Sequence, residues 1–501
     1  MFLRSFTRAA TPLSWSSRIP PASAIMPLKA RIMNPTFGTQ RQLSTDAGIP
    51  RELPGDEPDD VLFNTIYGVR TIELNRPKKL NSLNGSMIRK ILPRLKEWEK
   101  SQLANVIVMK GAGRALCAGG DVAALAQQNQ EGPEGQQKSK DYFALEYKLD
   151  HLIATYSKPY VAFMDGITMG GGVGLSIHAP FRIATEKTVF AMPETTIGFF
   201  PDVGASFFLP RMDGQLGTYL ALTSEQLKGV NVFYNGIATH YIDSTSLPDL
   251  EARLSELVFK DYDDIQERYR VITSTIEEFV TGLPTERDQA TQIPSDTRKA
   301  IDRCFSRSSI DEILSELDQL SQTEGGLRDW ASKTRTTIMQ RSPTSVKVTL
   351  EQMRVGEQWN IAQAFQHEHN IASKFMEHHD FTEGVSALLI RKPKEKPVFQ
   401  PQTLEEVDNG SVRDFFAQRP RLLLLNTKLG SDYNVYPHAW IGLPREEEVR
   451  KVVEEGNKTA EEVVMHFVQM KEGKQGVKEK VTEILKRHAE ARDNDFVTWV
   501  Q

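Results

Sequence analysis

The chain has few of the residues that would build a disulfide framework or a membrane span. Only two of its 501 residues are cysteine, Cys117 and Cys304, which excludes a disulfide scaffold and a cysteine-based zinc site. No apolar run approaches the roughly 18 residues that a membrane span needs, and residues 422–425 fall far short. With 39% hydrophobic and 25% charged residues, the composition is typical of a globular enzyme from a reducing compartment.

Acidic residues are absent from the first 45 positions, which carry six Lys and Arg residues and many Ser, Thr and Ala. This composition is typical of a mitochondrial transit peptide, and residues 41–44 resemble a processing site. A disordered tail is the alternative interpretation. Without these six positive charges the formal net charge changes from −5 to −11, which gives no general attraction to nucleic acid. We expect a protein of the mitochondrial matrix.

The length of the chain predicts two or three structural units. Strand-like and helix-like segments alternate through about 200 residues, which predicts an α/β core, whereas residues 248–390 are almost wholly helical in pattern. We therefore divide the chain as follows: transit peptide, residues 1–45; catalytic core, residues 46–247; helical region, residues 248–395; linker and C-terminal extension, residues 396–501.

Three short glycine- and acid-containing patterns are candidates for the chemistry. They are residues 114–121 (RALCAGGD), residues 165–174 (DGITMGGGVG), and residues 192–195 (MPET) with residues 200–204 (FPDVG). Glycines at a helix start let backbone N–H groups approach a ligand at the positive end of the helix dipole. A second glycine-rich loop would complete an oxyanion hole, in which each donor is worth about 3 kcal/mol. Close helix packing explains a lone glycine run equally well. The spacing fits neither a phosphate loop nor a dinucleotide fingerprint.

Glu194 and Asp202 are the candidate catalytic acids. They lie eight residues apart among Pro, Gly and Phe residues. Apolar surroundings raise a carboxyl pKa, as acid–base catalysis at neutral pH requires. Either acid alone is more often a solvated helix cap or an ion-pair partner.

Cys117 and the histidines are weaker candidates. Cys117 would suit a nucleophile, but no Cys–His pairing is visible, so we interpret it as a small core residue. The histidines show no carboxylate-assisted metal spacing, so packed or solvated rings and no metal site are predicted for His178, His240 and the cluster at residues 367–379.

In this order and spacing, the patterns resemble the crotonase, or enoyl-CoA hydratase/isomerase, superfamily and most specifically its 3-hydroxyisobutyryl-CoA hydrolase branch. The resemblance spans roughly residues 58–415. It is carried by residues 166–174, 191–195, 201–204, 341–345 and 380–385. It implies a crotonase-type ββα superhelix core, followed by a helical C-terminal region and an extra C-terminal extension.

The resemblance also implies roles for individual residues. The branch hydrolyses the 3-hydroxyisobutyryl-CoA thioester in valine breakdown, needs no cofactor beyond the CoA of its substrate, and is compatible with a homo-oligomer. By matching positions, the N–H groups of Ala118 and Gly171 would form the oxyanion hole. Glu146 and Gly171 would contact the substrate, and Glu194 would attack the acyl carbon or activate water. Asp202 would orient the 3-hydroxyl group or assist proton transfer to the departing thiolate.

Two positions depart from the family patterns. Enoyl-CoA hydratases have a second glutamate in the helix after the glycine run, where this chain has Gly174. Enoyl-CoA hydration or isomerisation is therefore the less favoured alternative, and we expect the space beside Gly174 to admit a branched acyl group. The hydrolase branch often has a further glycine where this chain has Ala205, which would slightly reshape the pocket.

The C-terminal extension suggests another alternative. Some fungal relatives of the hydrolase branch are counted as proteins of the mitochondrial small ribosomal subunit, and residues from about 416 onward fall outside the hydrolase resemblance. We expect Tyr433, Tyr436 and Trp440 to be exposed and to anchor a partner surface. The alternative is that this stretch folds back on the catalytic unit.

Overall fold

The computed structural model describes six ranges of the chain: residues 48–259, 264–284, 291–417, 422–426, 430–491 and 495–500. The predicted transit peptide (residues 1–45) and its processing site at residues 41–44 lie outside the described residues. No helix in the described ranges is long and apolar enough to cross a membrane.

Short strands lie mainly in the first half of the chain and pair into three sheets. In the described residues they are β1 (Val61–Ile66), β2 (Val69–Leu74), β3 (Val106–Gly111), β4 (Ala115–Cys117), β5 (Tyr160–Met164), β6 (Ile167–Met169), β7 (Phe181–Ala184), β8 (Val189–Ala191), β9 (Leu227–Lys228), β10 (His240–Tyr241), β11 (Ala489–Ala491) and β12 (Val497–Trp499).

Helices cover most of the remainder. Those in the described ranges are α1 (Gly85–Lys100), α2 (Val122–Asn129), α3 (Pro133–Ala154), α4 (Gly171–Ile177), α5 (Ala205–Phe208), α6 (Leu216–Thr223), α7 (Val230–Tyr234), α8 (Leu247–Ser255), α9 (Ile265–Glu277), α10 (Ser295–Phe305), α11 (Ile310–Ser321), α12 (Gly326–Met339), α13 (Pro343–Gly356), α14 (Ile361–Phe375), α15 (His379–Val385), α16 (Asn409–Phe415), α17 (Glu446–Glu454), α18 (Ala460–Met470) and α19 (Val477–His488).

The two larger sheets are built by a repeating chain path. The first has the order β1-β2-β3-β5-β7-β10, with β1 and β2 antiparallel and the other pairs parallel. The second has the order β4-β6-β8-β9, and only β8 and β9 are antiparallel. Each pair β3/β4, β5/β6 and β7/β8 gives one strand to each sheet before a helix follows. The predicted ββα core with a helical C-terminal region is confirmed.

The core beneath the first sheet joins distant parts of the chain. Val108 and Phe181 of the sheet pack in one buried cluster with Leu250 of α8 and Ile272 of α9. Ile441 of the extension belongs to the same cluster and is only 1% exposed. The extension therefore completes this core.

The expected exposure of Tyr433 and Tyr436 is wrong, because both rings are half-buried against the catalytic unit. The Tyr436 hydroxyl donates to the carbonyl oxygen of Ala179 at 2.7 Å, just after α4, and accepts from Nη1 of Arg182 at 3.0 Å. Trp440 is exposed, as expected. The stretch folds back, which was the alternative interpretation.

Partly buried ion pairs hold α19 and the loop before it in place. Nζ of Lys480 lies 2.7 Å from Oδ2 of Asp213, and Lys474 pairs with Glu277 of α9. The two lysines are buried, and a buried charge of this kind needs such a partner. The described residues from 50 onward belong to one compact unit; the boundaries at 247/248 and 395/396 stay predictions.

Candidate functional site

The glycine run places a helix N-terminus at the centre of the site. Gly170 has φ +45°, and a Cβ on it would lie 3.3 Å from Oε1 of Glu194. Gly171 begins α4, so its N–H has no acceptor within the helix and lies at the positive end of the helix dipole. A Cβ on Gly172 would collide with the carbonyl oxygen of Cys117. The run therefore serves close packing and also provides a donor.

In the loop after β4, the N–H group that was expected to be the second oxyanion donor already has an acceptor. The N–H of Ala118 donates to the carbonyl oxygen of Leu80 at 3.0 Å, so Ala118 would have to share or release this bond to bind an oxyanion. Gly120 pairs with Leu83 in a parallel bridge, and its N atom lies 3.5 Å from the position of a Cβ on Gly171. Gly120 is thus a neighbouring donor candidate, and the role of Ala118 stays a prediction.

Glu146 of α3 lies beside the helix N-terminus. It is buried, and its Oε1 is 2.7 Å from the position that a Cβ on Gly171 would occupy. Burial, followed by the charge of Asp202, raises the pKa of Glu146 well above its usual value, and a hydrogen bond from Tyr142 opposes the rise. A largely neutral Glu146 would offer an O–H donor next to the N–H of Gly171.

Glu194 begins a 3-10 turn, Glu194–Ile197, directly after β8. The side chain is buried, and its Oε2 atom has no hydrogen-bond partner among the described residues. Burial, followed by the charge of Asp202, raises the pKa of Glu194 well above its usual value. An oxygen without a partner, next to a helix N-terminus, suits a nucleophile or a base toward a bound acyl group.

Asp202 is positioned by a tyrosine and by aromatic walls. The Tyr147 hydroxyl donates to Oδ2 of Asp202 at 2.7 Å, and both groups are buried. Phe199 and Phe200, whose ring centroids are 4.7 Å apart, contribute to the apolar surroundings. Burial raises the pKa of Asp202 to about 7, although the hydrogen bond from Tyr147 opposes the rise. Asp202 therefore changes charge near neutral pH.

The turn that carries Asp202 is strained. Val203 has φ +55°, a conformation that is rare for a β-branched residue. Nε2 of His178 lies 2.9 Å from the carbonyl oxygen of Val203, and the N–H of Gly204 donates to Oε2 of Glu368 at 2.7 Å. Because burial lowers the pKa of His178 to about 4, its neutral ring can donate this bond. These contacts hold the strained turn and fix the direction of Asp202.

The space beside Gly174 is filled, so the expectation that it would admit a branched acyl group is wrong. A Cβ on Gly174 would lie 2.7 Å from Oδ2 of Asp150, a fully buried residue of α3. A carboxyl group from α3 thus occupies the place where a side chain of α4 would begin.

The interpretation of Cys117 as a core residue is confirmed. Its side chain is completely buried, and burial raises its pKa to about 12. At neutral pH it is a thiol, which is a poor nucleophile.

Sequence reasoning missed Tyr147, Asp150 and Glu368. Tyr147 follows Glu146 directly and Asp150 lies one helical turn further along α3, so helical spacing could have revealed both. Glu368 lies 164 residues from Gly204, and no local signal connects them.

A cleft of about 490 Å³ opens beside this group of side chains. It is lined by Leu53, Asn84, Leu125, Tyr142 and Leu145, among others. The Tyr142 hydroxyl lies 3.0 Å from the position of a Cβ on Gly120, which places the cleft against the glycine loop.

Comparisons with known proteins agree with this geometry. Residues 69–416 match the family model described as enoyl-CoA hydratase/isomerase. The small ribosomal subunit protein mS47 of Neurospora crassa is 55% identical over 96% of this chain and 95% of its own. The mitochondrial 3-hydroxyisobutyryl-CoA hydrolase of Gallus gallus is 44% identical over 72% of this chain and 89% of its own.

A solved structure extends the agreement to the fold. A carnitinyl-CoA dehydratase from Mycobacterium thermoresistibile is 31% identical to this chain, with a TM-score of 0.62. The match covers 73% of this chain and 98% of the dehydratase. The chain belongs to the enoyl-CoA hydratase/isomerase family.

Proposed function

We propose that this chain hydrolyses the thioester of 3-hydroxyisobutyryl-CoA in the mitochondrial matrix. The observation that carries the proposal is a pair of buried acids: Glu194, whose Oε1 lies close to Gly170 just before α4, and Asp202, which is held by Tyr147 and whose charge acts on Glu194. By the family resemblance, Gly174 stands where a hydratase has its second glutamate. The similarity to the hydrolase of Gallus gallus supports the choice of reaction and substrate.

The geometry supports the following course of hydrolysis. The acyl carbonyl oxygen accepts from the N–H of Gly171 and from a donor of the loop after β4, each worth about 3 kcal/mol in the transition state. Glu194 takes a proton from a water whose oxygen attacks the acyl carbon, or its carboxylate attacks directly and forms a mixed anhydride. The C–S bond breaks, its electron pair passes to sulfur, and the resulting thiolate takes up a proton that the water supplies. In the second route, water then hydrolyses the anhydride, which releases the acid and restores Glu194. Asp202, as a carboxylate held by Tyr147, accepts a hydrogen bond from the 3-hydroxyl group.

The test is CoA release by the purified protein from 3-hydroxyisobutyryl-CoA, 3-hydroxypropionyl-CoA and crotonyl-CoA in parallel. Hydrolysis is expected for the two hydroxyacyl thioesters. Glu194→Gln should lose about 10² to 10⁴ of the rate, because the amide neither attacks nor accepts a proton. Glu134→Gln, whose side chain is 88% exposed, is the matched control. Near wild-type turnover in Glu194→Gln would contradict the assignment. Loss of the enoyl absorbance of crotonyl-CoA without release of CoA would favour a hydratase.

A second candidate function is that of a component of the mitochondrial small ribosomal subunit. One observation favours it: the similarity to the Neurospora crassa protein covers 96% of this chain, whereas the hydrolase of Gallus gallus matches only 72%. The extension beyond residue 416, where the family model ends, is therefore largely shared with the ribosomal protein.

Cosedimentation with mitochondrial small subunits tests this second function. Because Ile441 completes the core, point variants are preferable to truncation. Trp440→Ala and Met470→Ala alter side chains that are 37% and 49% exposed, and Met339→Ala, 46% exposed on α12, is the control. Loss of cosedimentation in the first two variants alone would support a docking surface on the extension. A full chain that never cosediments would eliminate the ribosomal function.

A further inference from the structure

A second cavity lies where the C-terminal extension packs against the first half of the chain. Its volume is about 100 Å³. Residues between 177 and 238 form one wall, and residues 436–445 of the extension form much of the other. Among the described residues, the cavity shares no lining residue with the cleft beside Tyr142. It is therefore a separate candidate binding site.

The charged side chains around this cavity are mainly cationic. The cationic residues that line it are Arg182, Arg211, Arg445 and Lys480. The single carboxylate among its described lining residues is that of Asp213, whose Oδ2 already lies 2.7 Å from Nζ of Lys480. Since this pair is neutral as a whole, three guanidinium groups of the lining are left without a compensating charge.

Arg182 is the buried member of the three, with only 7% of its surface exposed. Its Nε donates to the carbonyl oxygen of Ile237 at 2.6 Å, and its Nη1 donates to the carbonyl oxygen of Ala179 at 2.7 Å and to the Tyr436 hydroxyl at 3.0 Å. Its Nη2 makes no hydrogen bond to a described residue, and no described carboxylate pairs with it. A buried guanidinium charge is costly unless an anion compensates it.

Arg211 and Arg445 add further positive charge to the same lining. Nη1 of Arg211 donates to the carbonyl oxygen of Phe207 at 2.8 Å, and Cζ lies 4.0 Å from the centroid of the Phe207 ring, so the guanidinium is fixed in place. Burial lowers the pKa of Arg211; the exposed Glu357 opposes this, and the charge of Arg445 lowers the pKa further. Arg445 thus lies close enough to repel Arg211.

We propose that this cavity binds a phosphate group, held by Arg182, Arg211 and Arg445. Guanidinium groups present paired N–H donors that match phosphate oxygens, and these charge-assisted bonds are stronger than neutral ones. A water molecule needs about 10–15 Å³ of a cavity, so a cavity of about 100 Å³ accommodates the five heavy atoms of phosphate. This inference does not depend on the proposed hydrolysis.

Bound phosphate stabilises the packing of the extension. Arg445 belongs to the extension, whereas Arg182 and Arg211 do not, so an anion between them replaces repulsion across the cavity by attraction. Tyr436 already joins the two walls, because its hydroxyl donates to the carbonyl oxygen of Ala179 at 2.7 Å. A ligand that binds only the folded chain also raises its stability by mass action.

Isothermal titration calorimetry of the full chain with inorganic phosphate, at constant ionic strength in chloride, tests the site. Saturable binding is expected in the wild type. Arg445→Gln should weaken it by about tenfold or more, because one charge-assisted donor is lost. Arg450→Gln is the matched control, since Arg450 pairs with Glu454 and does not line the cavity. Absence of saturable binding in the wild type, or equal weakening in both variants, would overturn the inference.

Adenosine 5′-monophosphate distinguishes free phosphate from the terminal phosphate of a larger molecule. Competition between the nucleotide and inorganic phosphate, with both weakened by Arg445→Gln, supports a site that takes terminal phosphate groups. Binding of inorganic phosphate alone, with the same dependence on Arg445, supports a site for the free ion. Binding of the nucleotide alone contradicts the inference.

Thermal unfolding gives a second measurement. Phosphate should raise the Tm of the wild type and of Arg450→Gln above the value in chloride at the same ionic strength, and should raise that of Arg445→Gln much less. If Arg445→Gln does not fold, the wild type still decides, because a Tm that is the same in phosphate and chloride refutes the site.

Discussion

Replacing Tyr147 with phenylalanine should raise the pKa of Asp202. The Tyr147 hydroxyl donates to Oδ2 of Asp202 at 2.7 Å, and both groups are buried. A hydrogen bond to a charged group is worth about 1.5–3 kcal/mol, and 1.36 kcal/mol corresponds to one pKa unit. Losing this bond disfavours the carboxylate, so the pKa of Asp202 should rise from about 7 by about 1–2 units. Activity that needs ionised Asp202 should then appear only at higher pH.

The assay is the pH dependence of kcat/KM for CoA release, followed with a thiol reagent. The acid limb of the Tyr147→Phe profile should move to higher pH, and activity at pH 7 should fall, while activity well above the new pKa should largely recover. Tyr156→Phe is the control, because that buried hydroxyl donates to the neutral carbonyl of Leu95 at 2.6 Å. If the alkaline limb moves upward instead, Asp202 acts as the proton donor to the thiolate, and the reasoning about its carboxylate is refuted.

Three further predictions concern the oxyanion donor, the extension and the N-terminus. Gly171→Pro should abolish CoA release, because proline removes the donor N–H, whereas Cys117→Ser should still release CoA. Equal loss of activity in both variants would instead support the Cys117 thiol as the nucleophile. Lys480→Ala should lower the free energy of unfolding by about 1–3 kcal/mol in denaturant titrations, because Asp213 loses its ion-pair partner and keeps the N–H of Glu446, and an unchanged midpoint would show that the pair is dispensable. N-terminal sequencing of matrix protein should find a start near residues 42–46, and a start near residue 1 would contradict the predicted transit peptide.

Local patterns were sufficient to predict an alternating α/β core and to select Glu194 and Asp202 as candidate acids, whereas the ββα superhelix was implied by the family resemblance. The strands on either side of residues 67–68 and the helix that begins at the glycine run need only short-range signals, such as alternation and turn residues. The low polarity around Glu194 and Asp202 was visible as neighbouring Phe and Pro residues. These features depend on contacts close in sequence.

Contacts between distant segments were not predictable in the same way. Asp432 contacts His151 although 281 residues separate them in sequence, and no pattern near either position predicts this contact. Gly174 was recognised as a missing glutamate, but the sequence does not show that Asp150 fills the space from another helix. The strain at Val203 also has no sequence signature, because it is imposed by His178 and by the packing of the turn.

The place of Ile441 in the first core has a consequence for synthesis. Val108, Phe181 and Leu250 are synthesised well before residue 441. Until residue 441 is added, the apolar surface that they share lacks one of the side chains that cover it. A nascent chain interrupted before that point would present this surface to chaperones and proteases, which recognise exposed apolar groups. The extension thus makes full burial of this apolar surface depend on synthesis beyond residue 441.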